Sequence, residues 1–372
     1  MQTPVSTSAH RRVLILNASY AVGGAERVLQ WLSLQLRSRF DLHVCALYQP
    51  GAIGEQIREA GVPFYTLQGR SRTDWRVLPR FLNLLLRLRP DVLFTIDAPV
   101  AILYAVVAKR LRLVRSLVIA VHSFGKVHRA RELAVARRLA APVTDTLVAL
   151  SERHRCFLLQ QAGWRARQVV VIPNGIDLQR FHPEGNTLHE EWQVPWDAAC
   201  FGVVAGMRPE KNLFRFLRVA RQVLASEPNA LAFVVGDGEL RPQLERYAEE
   251  QGVAARVRFT GVRQDIPAVW RTLQVAVLTS DSEVLPMTLI EAAACGVPAV
   301  STDVGGVRDV VLEGETGFVV PPEDEHALAE RILYLLHHAD ARQRMGARAR
   351  QHAEAEFDLH LMTERYVRVL EQ

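Results

Sequence analysis

Two glutamates in the second half of the chain have the spacing best suited to chemistry. Glu283 and Glu291 lie in the segment TSDSEVLPMTLIEAAACG at 279–296. Glu283 falls in a loop after a predicted strand, and Glu291 lies just over one turn into a helix that Pro286 can open. The amides of a helix N-terminus can bind phosphate, and a carboxylate deeper in the helix can accept two hydrogen bonds from a ribose diol. An exposed acidic loop and an ordinary helix glutamate are the alternative.

Two cations precede another predicted helix. The segment VVAGMRPEKN at 203–212 ends a strand in a glycine-containing turn and brings Arg208 and Lys211 to the helix start. The helix dipole disfavours cations there, so an anionic ligand between them would explain the choice. Lysine is also rare in this sequence, since Lys211 is one of three. A solvated surface pair is the alternative.

Small and polar residues follow strands of the first half in the same way. Gly23 and Gly24 separate the first predicted strand from the first helix, where glycines let a ligand approach the backbone. His122 lies at the carboxyl end of a later predicted strand, 117–123. A glycine pair alone is also compatible with an ordinary turn, and a single histidine is also compatible with a structural role.

Two series of buried strands and amphipathic helices must position these residues. Near-continuous apolar runs are typical of parallel sheets. The predicted strands are 13–19, 43–48, 91–97, 117–123 and 146–151, then 201–206, 231–236, 256–260, 274–279 and 298–301. The predicted helices are 25–38 and 152–163, then 212–226, 239–251, 287–295, 324–337 and 340–355, with a further segment after Phe357-Asp358. The fold class is therefore α/β, with two Rossmann-like, doubly wound domains facing a central cleft.

Proline and glycine punctuate the segment 171–200, as expected between domains. We expect an N-terminal domain at 1–175, a C-terminal domain at 176–355, and a last helix at 356–372 that crosses back to the first domain.

The composition is that of a compact globular protein, with 372 residues and a formal net charge of +5. Residues 1–180 hold 26 Lys and Arg against 11 Asp and Glu, whereas residues 181–372 hold 19 against 29. The basic half should meet something anionic. Four scattered cysteines argue against a zinc site or a disulfide scaffold, and no signal peptide or membrane-spanning segment is evident. A cytoplasmic location is expected.

Eight motifs succeed one another along nearly the whole chain. They are GGAE (23–26), VHS (121–123), LSE (150–152), VIPNGID (171–177), RPEKN (208–212), VVGDGEL (234–240), FTGVRQDI (259–266) and SEVLPMTLIEAAACGVPAVSTDVGG (282–306). Their order and spacing resemble the retaining glycosyltransferases of GT-B fold, specifically glycosyltransferase family 4. The resemblance implies an N-terminal acceptor domain, a C-terminal domain for a nucleotide sugar, and hexosyl transfer with retention and without a metal.

The resemblance also implies roles for individual residues. It makes Lys211 the cation for the donor diphosphate, Glu283 a contact to the donor sugar, Glu291 the ribose clamp, and His122 a hydrogen-bonding residue near the reacting sugar. The other residues that it places at the nucleotide sugar are Gly24, Gly236, Gly238, Val262, Arg263 and Leu285. UDP is the preferred nucleotide and GDP the alternative.

Two positions depart from the family pattern. Gly206 occupies the position of the usual arginine before the lysine, so Arg208 must take over that contact. Val284 replaces the glycine that usually follows the first glutamate, and valine disfavours a positive φ.

The acceptor is expected to be a saccharide, lipid-linked as for many relatives that build bacterial surface polysaccharide. Basic residues interleaved with apolar ones in the first half could lie on anionic lipid headgroups. They are Arg70, Arg72, Arg76, Arg80, Arg87, Arg89, Lys109, Arg110, Arg112, Arg115, Lys126, Arg129, Arg131, Arg137 and Arg138. Solvated helix faces are the alternative. Nucleic acid is not expected as a partner, because no aromatic platform accompanies the charge.

Two other functions remain compatible with the sequence. A sugar-nucleotide epimerase on the same two-domain fold would release free sugar or a changed nucleotide sugar. A non-catalytic protein would bind the sugar nucleotide without turnover.

Overall fold

The computed structural model describes residues 11–21, 24–71, 74–96, 98–123, 130–160 and 163–372. The chain divides into two compact units. The first comprises Met1–Pro173 together with His360–Gln372, and the second comprises Asn174–Leu359. Each unit has a parallel sheet with its own hydrophobic core.

The strands and helices alternate along the chain. The strands are β1 (Arg12–Asn17), β2 (Asp41–Ala46), β3 (Phe64–Thr66), β4 (Val92–Ile96), β5 (Ser116–Ala120), β6 (Thr146–Ala149), β7 (Val169–Val171), β8 (Ala199–Val204), β9 (Ala230–Val235), β10 (Val257–Gly261), β11 (Val275–Leu278), β12 (Ala299–Thr302) and β13 (Gly317–Val320). The helices are α1 (Gly24–Leu36), α2 (Gly51–Glu59), α3 (Val77–Leu88), α4 (Pro99–Arg110), α5 (Ala130–Ala140), α6 (Glu152–Gln160), α7 (Leu213–Ser226), α8 (Arg241–Glu250), α9 (Ile266–Thr272), α10 (Met287–Ala294), α11 (Val307–Val310), α12 (Glu325–His337), α13 (Ala339–Glu356) and α14 (Leu359–Leu370).

The two sheets share one strand order over six strands, and the first sheet has a seventh strand, β7. The first has the order β3-β2-β1-β4-β5-β6-β7, and the second has the order β10-β9-β8-β11-β12-β13. All registered strand pairs are parallel, and Val275 and Ala276 of β11 lie beside Phe201 and Gly202 of β8. In each sheet the strand order reverses at one point, between β1 and β4 and between β8 and β11. Ligands of open α/β sheets bind at the carboxyl edge of such a switch point.

The prediction of an α/β fold with two Rossmann-like halves is confirmed, but it missed several elements. The missed strands are β3, β7 and β13, each of three or four residues. Such runs are too short to show a period. The helices α2, α3, α4, α5, α9 and α11 were also not assigned. For α4, the apolar sequence around 92–108 is interrupted by Asp97 and Pro99, and the helix begins at Pro99.

The tail forms two helices, as predicted from the break near Phe357. Helix α14 belongs to the first unit, where Tyr366 packs on Phe94 with ring centroids 5.5 Å apart. Arg39 binds Glu364 at 2.8 Å. Among the residues that the structure describes, no helix has the length and apolar character needed to cross a membrane.

Candidate functional site

Lys211 and Glu283 meet at the carboxyl edge of the second sheet. Lys211 ends a 3-10 turn, Pro209–Lys211, that follows β8, and Glu283 lies in the loop that follows β11. Since β8 and β11 are neighbours at the switch point, these two connections lie side by side. The strand order therefore brings a cation and a carboxylate from distant parts of the sequence to the place where this fold binds ligands.

The pair is well defined and largely shielded from solvent. Lys211 Nζ lies 2.6 Å from Glu283 Oε1, and the two side chains are 18% and 10% exposed. Ser280 donates its hydroxyl to the same Oε1 at 2.7 Å. Ser280 is in turn fixed by Thr302, whose hydroxyl donates to the Ser280 carbonyl at 2.8 Å. Within the described residues, Glu283 Oε2 has no hydrogen-bond partner and remains available to accept one.

Glu291 lies in α10, in the second turn, as expected from the sequence. Helix α10 begins at Met287 with Pro286 at its N-cap position. Trp270 of α9 donates its indole N–H to Glu291 Oε2 at 3.4 Å. Burial raises the pKa of Glu291 to about 7, although the indole and the charge of Arg180 act in the opposite direction. This carboxyl group therefore changes its ionisation near neutral pH.

Arg208 does not take part in the Lys211 pair. Its side chain is 64% exposed and its Nε lies 3.2 Å from Glu210 Oε1. Gly206 has room for a side chain, because the nearest atom to an added Cβ is Arg208 Nε at 3.5 Å. Val284 is not among the residues with positive φ, so the backbone there does not require glycine.

Gly236 and Gly238 are required by close packing of backbone. A Cβ at Gly236, whose φ is +130°, would lie 2.0 Å from the Ala205 carbonyl oxygen. A Cβ at Gly238 would lie 2.7 Å from the Met207 carbonyl oxygen. The turn after β9 is thereby held directly against the turn that leads to Lys211.

The remaining residues assigned to the nucleotide sugar have mixed environments. Val262 is 69% exposed, and Leu285 is buried. The Arg263 guanidinium binds Asp265 and Glu191, with closest distances of 2.6 Å to each. These hydrogen bonds raise the pKa of Arg263. Its charge is thus already balanced by two carboxylates.

Gly24 and His122 belong to the first unit. Gly24 is the first residue of α1, and among the described residues no atom lies within 4 Å of a Cβ added to it. His122 follows β5, and burial lowers its pKa to about 4, so the imidazole is neutral at pH 7. Its Nε2 is buried and has no partner within the part of the chain that the structure describes. Gly23 lies outside the described residues.

The predicted basic surface is partly corrected. Arg137 is 5% exposed and donates to the Ser123 carbonyl at 2.9 Å, so it cannot contact a membrane. Arg137 lies on the inner face of α5, together with Leu133, Ala136 and Ala140, which are also buried. Lys109 binds Asp145 at 2.7 Å. Arg72, Lys126 and Arg129, and the side chain of Arg131, lie outside the described residues.

The exposed part of that surface combines charge with apolar groups. Around α3, Trp75 and Leu86 are 75% and 60% exposed. The exposed arginines at and beside this helix are Arg70, Arg76, Arg80, Arg87 and Arg89. We call Trp75, Leu86 and these five arginines the α3 surface.

Two side chains of the site escaped the sequence analysis. Ser280 and Trp270 each donate a hydrogen bond to one of the two glutamates. The polar run Thr279-Ser280-Asp281 directly after a buried strand is the signal that could have identified Ser280. Trp270 gave no signal, because a fully buried tryptophan reads as core. The residues that the structure describes contain no group of three or more His, Cys, Asp or Glu side chains that could hold a metal ion.

Two family models match consecutive parts of the chain. Residues 22–180 match Glycosyltransferase Family 4, and residues 186–352 match Glycosyl transferases group 1. The first of these models ends, and the second begins, in the proline- and glycine-containing segment between the two sheets.

Two bacterial proteins share moderate sequence identity with this chain. A UDP-Gal:alpha-D-GlcNAc-diphosphoundecaprenol alpha-1,3-galactosyltransferase of Escherichia coli is 26% identical over 85% of this chain and 86% of its own length. An exopolysaccharide phosphotransferase of Streptomyces coelicolor is 30% identical over 53% of this chain, a match that spans only 20% of that protein.

A solved structure shares the fold over almost the full length. The Anabaena protein HepE, in complex with UDP and glucose, superposes with a TM-score of 0.85 over 97% of this chain and 100% of its own, at 23% identity. With two successive family models, the repeated sheet topology and this superposition in agreement, the chain belongs to the glycosyltransferases of GT-B fold, in the group 1 and family 4 lineage.

Proposed function

We propose that this glycosyltransferase moves a hexosyl or N-acetylhexosaminyl group, with retention, from a nucleotide sugar to a saccharide acceptor in the synthesis of surface polysaccharide or glycolipid. The observation that carries the proposal is the Lys211–Glu283 pair at the switch point of the second sheet. The roles below are proposals for the bound state.

The diphosphate of the donor is assigned to Lys211 and to the start of α10. Lys211 supplies a positive charge at the carboxyl edge of the sheet, and the first amides of a helix have no intrahelical partner and favour an anion. Arg208 can reach a phosphate from its exposed position without losing a buried partner. Charge develops on the diphosphate as its bond to the sugar breaks, so these groups stabilise the transition state electrostatically.

The sugar of the donor is assigned to Glu283. Its Oε1 is held by Lys211 and Ser280, which leaves Oε2 to accept a hydrogen bond from a sugar hydroxyl. Glu291 is the ribose clamp, with Trp270 orienting one of its oxygens. His122, neutral and with its Nε2 otherwise unsatisfied, is the hydrogen-bonding residue assigned to the reacting sugar.

Retention follows from attack on the face that the diphosphate leaves. The acceptor oxygen bonds to the anomeric carbon as the bond to the diphosphate breaks, and the acceptor proton passes to a departing phosphate oxygen. No protein nucleophile takes part, and the protein's share is positioning and charge stabilisation.

The acceptor is proposed to be lipid-linked, with UDP as the preferred nucleotide and GDP as the alternative. Support comes from the E. coli relative, whose name specifies a UDP-sugar and an acceptor on diphosphoundecaprenol. The α3 surface, which exposes Trp75 and Leu86 among arginines, has the composition of a surface that binds anionic lipid headgroups. The enzyme would then act as a peripheral protein on the inner face of the cell membrane.

Product analysis tests the proposed function. UDP-, GDP- and ADP-sugars are incubated with the protein and diphosphoundecaprenol-linked saccharides, and products are analysed by mass spectrometry and proton NMR. We expect one sugar to be added with the anomeric configuration of the donor. Product of the opposite configuration would contradict retention, and a changed nucleotide sugar without transfer would indicate an epimerase. Binding without any turnover would indicate a non-catalytic protein.

A further inference from the structure

We propose that Asn212 and Asp281 form a clamp that positions Lys211 against Glu283, so that the cation and the carboxylate are held in place before any ligand binds. The proposal rests on the proposed function for its consequence in catalysis. The clamp joins the two connections that carry the pair, which are the turn after β8 and the loop after β11.

Asn212 and Asp281 bridge these connections next to the Lys211–Glu283 pair. Asn212 Nδ2 donates to both carboxylate oxygens of Asp281, each at 3.1 Å. The backbone amide of Asp281 donates to the Glu210 carbonyl at 2.9 Å. Asn212 directly follows Lys211, and Asp281 precedes Glu283 by two residues. The bridge therefore fixes the spacing of the backbone on both sides of the ion pair.

The side chains of Arg215 and Thr279 add further hydrogen bonds to this network. Arg215 Nη1 donates to Asp281 Oδ1 and to the Thr279 carbonyl, each at 2.8 Å. The Thr279 hydroxyl lies 3.2 Å from the carbonyl oxygens of both Lys211 and Asn212. Since Arg215 is only 12% exposed, its charge supports the Asp281 carboxylate from the protein side.

The residue type at 212 fits this role. Asn212 has a φ of +44°, a left-handed conformation that asparagine tolerates better than most residues. Its Oδ1 accepts the Arg215 amide at 3.2 Å and caps α7, while its Nδ2 donates to Asp281. Glycine would satisfy the backbone but would supply neither hydrogen bond. Asparagine meets the conformational requirement and also links the two connections.

The amine reactivity of Lys211 reports on the clamp directly. The chain has three lysines, and Lys109 matches Lys211 closely, with 19% exposure and an Asp145 partner at 2.7 Å. The rate at which a small acylating reagent modifies each lysine can be followed by mass spectrometry in wild type, Asn212→Gly, Asn212→Asp and the Asn212→Asp/Asp281→Asn double variant. Thermal unfolding establishes that each variant is folded.

We expect Lys211 to react about five-fold faster in Asn212→Gly, because the hydrogen bonds from Asn212 to Asp281 are lost and the two connections that carry the ion pair are less restrained. The labelling rate of Lys109 should be unchanged. Asn212→Asp should also break the bridge, because two carboxylates face each other, and its Lys211 should again react faster than that of wild type. The double variant exchanges amide and carboxylate and should restore slow labelling. Unchanged Lys211 labelling in the folded Gly and Asp variants, or no restoration in the double variant, would overturn the clamp.

Nucleotide affinity, measured on the same proteins with UDP and GDP, separates the clamp from the proposed function. If wild type binds, we expect affinity to fall about ten-fold in Asn212→Gly and to recover in the double variant. An unchanged affinity in Asn212→Gly would overturn the role of the clamp in the donor site. If wild type binds neither nucleotide, the proposed function fails, and the labelling result still decides whether the clamp exists.

Discussion

Lys211 Nζ and Glu283 Oε1 lie 2.6 Å apart, although 72 positions separate the two residues in the sequence. Their meeting is a consequence of strand order, since the strands that precede them are neighbours at the switch point of the second sheet. Each partner offsets the cost of shielding the other's charge from solvent. The site is thus held in the form in which we propose that it binds a sugar diphosphate.

Loss of the Lys211 charge should reduce turnover strongly. For Lys211→Ala we expect a fall in kcat of about 10²–10³-fold, equivalent to about 2.7–4 kcal/mol, because a group that stabilises the departing diphosphate is removed. Initial rates with the donor identified by product analysis give the measurement.

Lys109→Ala is the control for that experiment. Lys109 is equally shielded and equally ion-paired, but it lies in the first unit at the end of α4. Its substitution should leave kcat within about two-fold, as is usual away from a site. Equal losses in the two variants would show that the effect is one of stability.

Nucleotide affinity should rise with pH through the titration of Glu291. The pKa of this carboxyl is raised to about 7, and only the ionised form accepts both hydrogen bonds of a ribose diol. Calorimetric titration should therefore give an affinity about thirty-fold weaker at pH 5.5 than at pH 8.5. In Glu291→Gln only the ligand titrates, so the slope should be smaller. The same dependence of affinity on pH in both proteins would refute the assignment of Glu291 to the ribose.

The unliganded protein should show the opposite pH trend in stability. A carboxyl whose folded pKa is raised contributes nothing below its unfolded pKa and destabilises increasingly as pH rises from there to the folded value. Between about pH 4.5 and pH 7, wild type should lose stability relative to Glu291→Gln. Thermal unfolding across that range provides the measurement, and parallel curves for the two proteins would contradict the raised pKa.

Three glycines should respond to alanine in a graded way. Gly236→Ala should lower the free energy of unfolding by about 3 kcal/mol or more, because the Cβ would collide with the Ala205 carbonyl at a positive φ. Gly252, with a φ of +68° and open space, should lose about 1 kcal/mol. Gly206 is open and should change little. Denaturant titration gives all three values, and a neutral Gly236→Ala would contradict the close approach.

The α3 surface should mediate membrane binding. We expect flotation with anionic vesicles at moderate salt, and loss of flotation in Trp75→Ala/Leu86→Ala, which removes the exposed apolar groups. Trp196→Ala is the control, since that tryptophan is 69% exposed but lies in the second unit. Absence of flotation by wild type would exclude the membrane proposal, and a loss in the control would show that exposed tryptophan alone accounts for binding.

The long buried strands and the longer helices of the second half, such as α7, α12 and α13, could be predicted from the sequence because their apolar periods extend over many residues. Strands such as β3, with three residues, carry too little signal to show a period. Such short elements are determined by tertiary packing and not by the local sequence pattern.

The sequence singles out candidate residues for the site but not their geometry. Glu283, Lys211 and Glu291 were identified from their positions after strands and in a helix. Their partners were not, because the bond from Ser280 to Glu283 and that from Trp270 to Glu291 depend on side-chain direction in the folded chain. Arg137 illustrates the converse, since an arginine that the sequence assigns to the charged surface is buried and donates to the Ser123 carbonyl.

The most direct test of the central claim is a thermal-shift panel with UDP, GDP, ADP and their common sugar conjugates on wild type and Glu291→Ala. A ligand that binds only the folded state raises Tm by mass action. We predict a shift with one nucleotide class, UDP first, that is lost in Glu291→Ala. No shift of wild type with any nucleotide would contradict the assignment of a nucleotide-sugar site to the second unit.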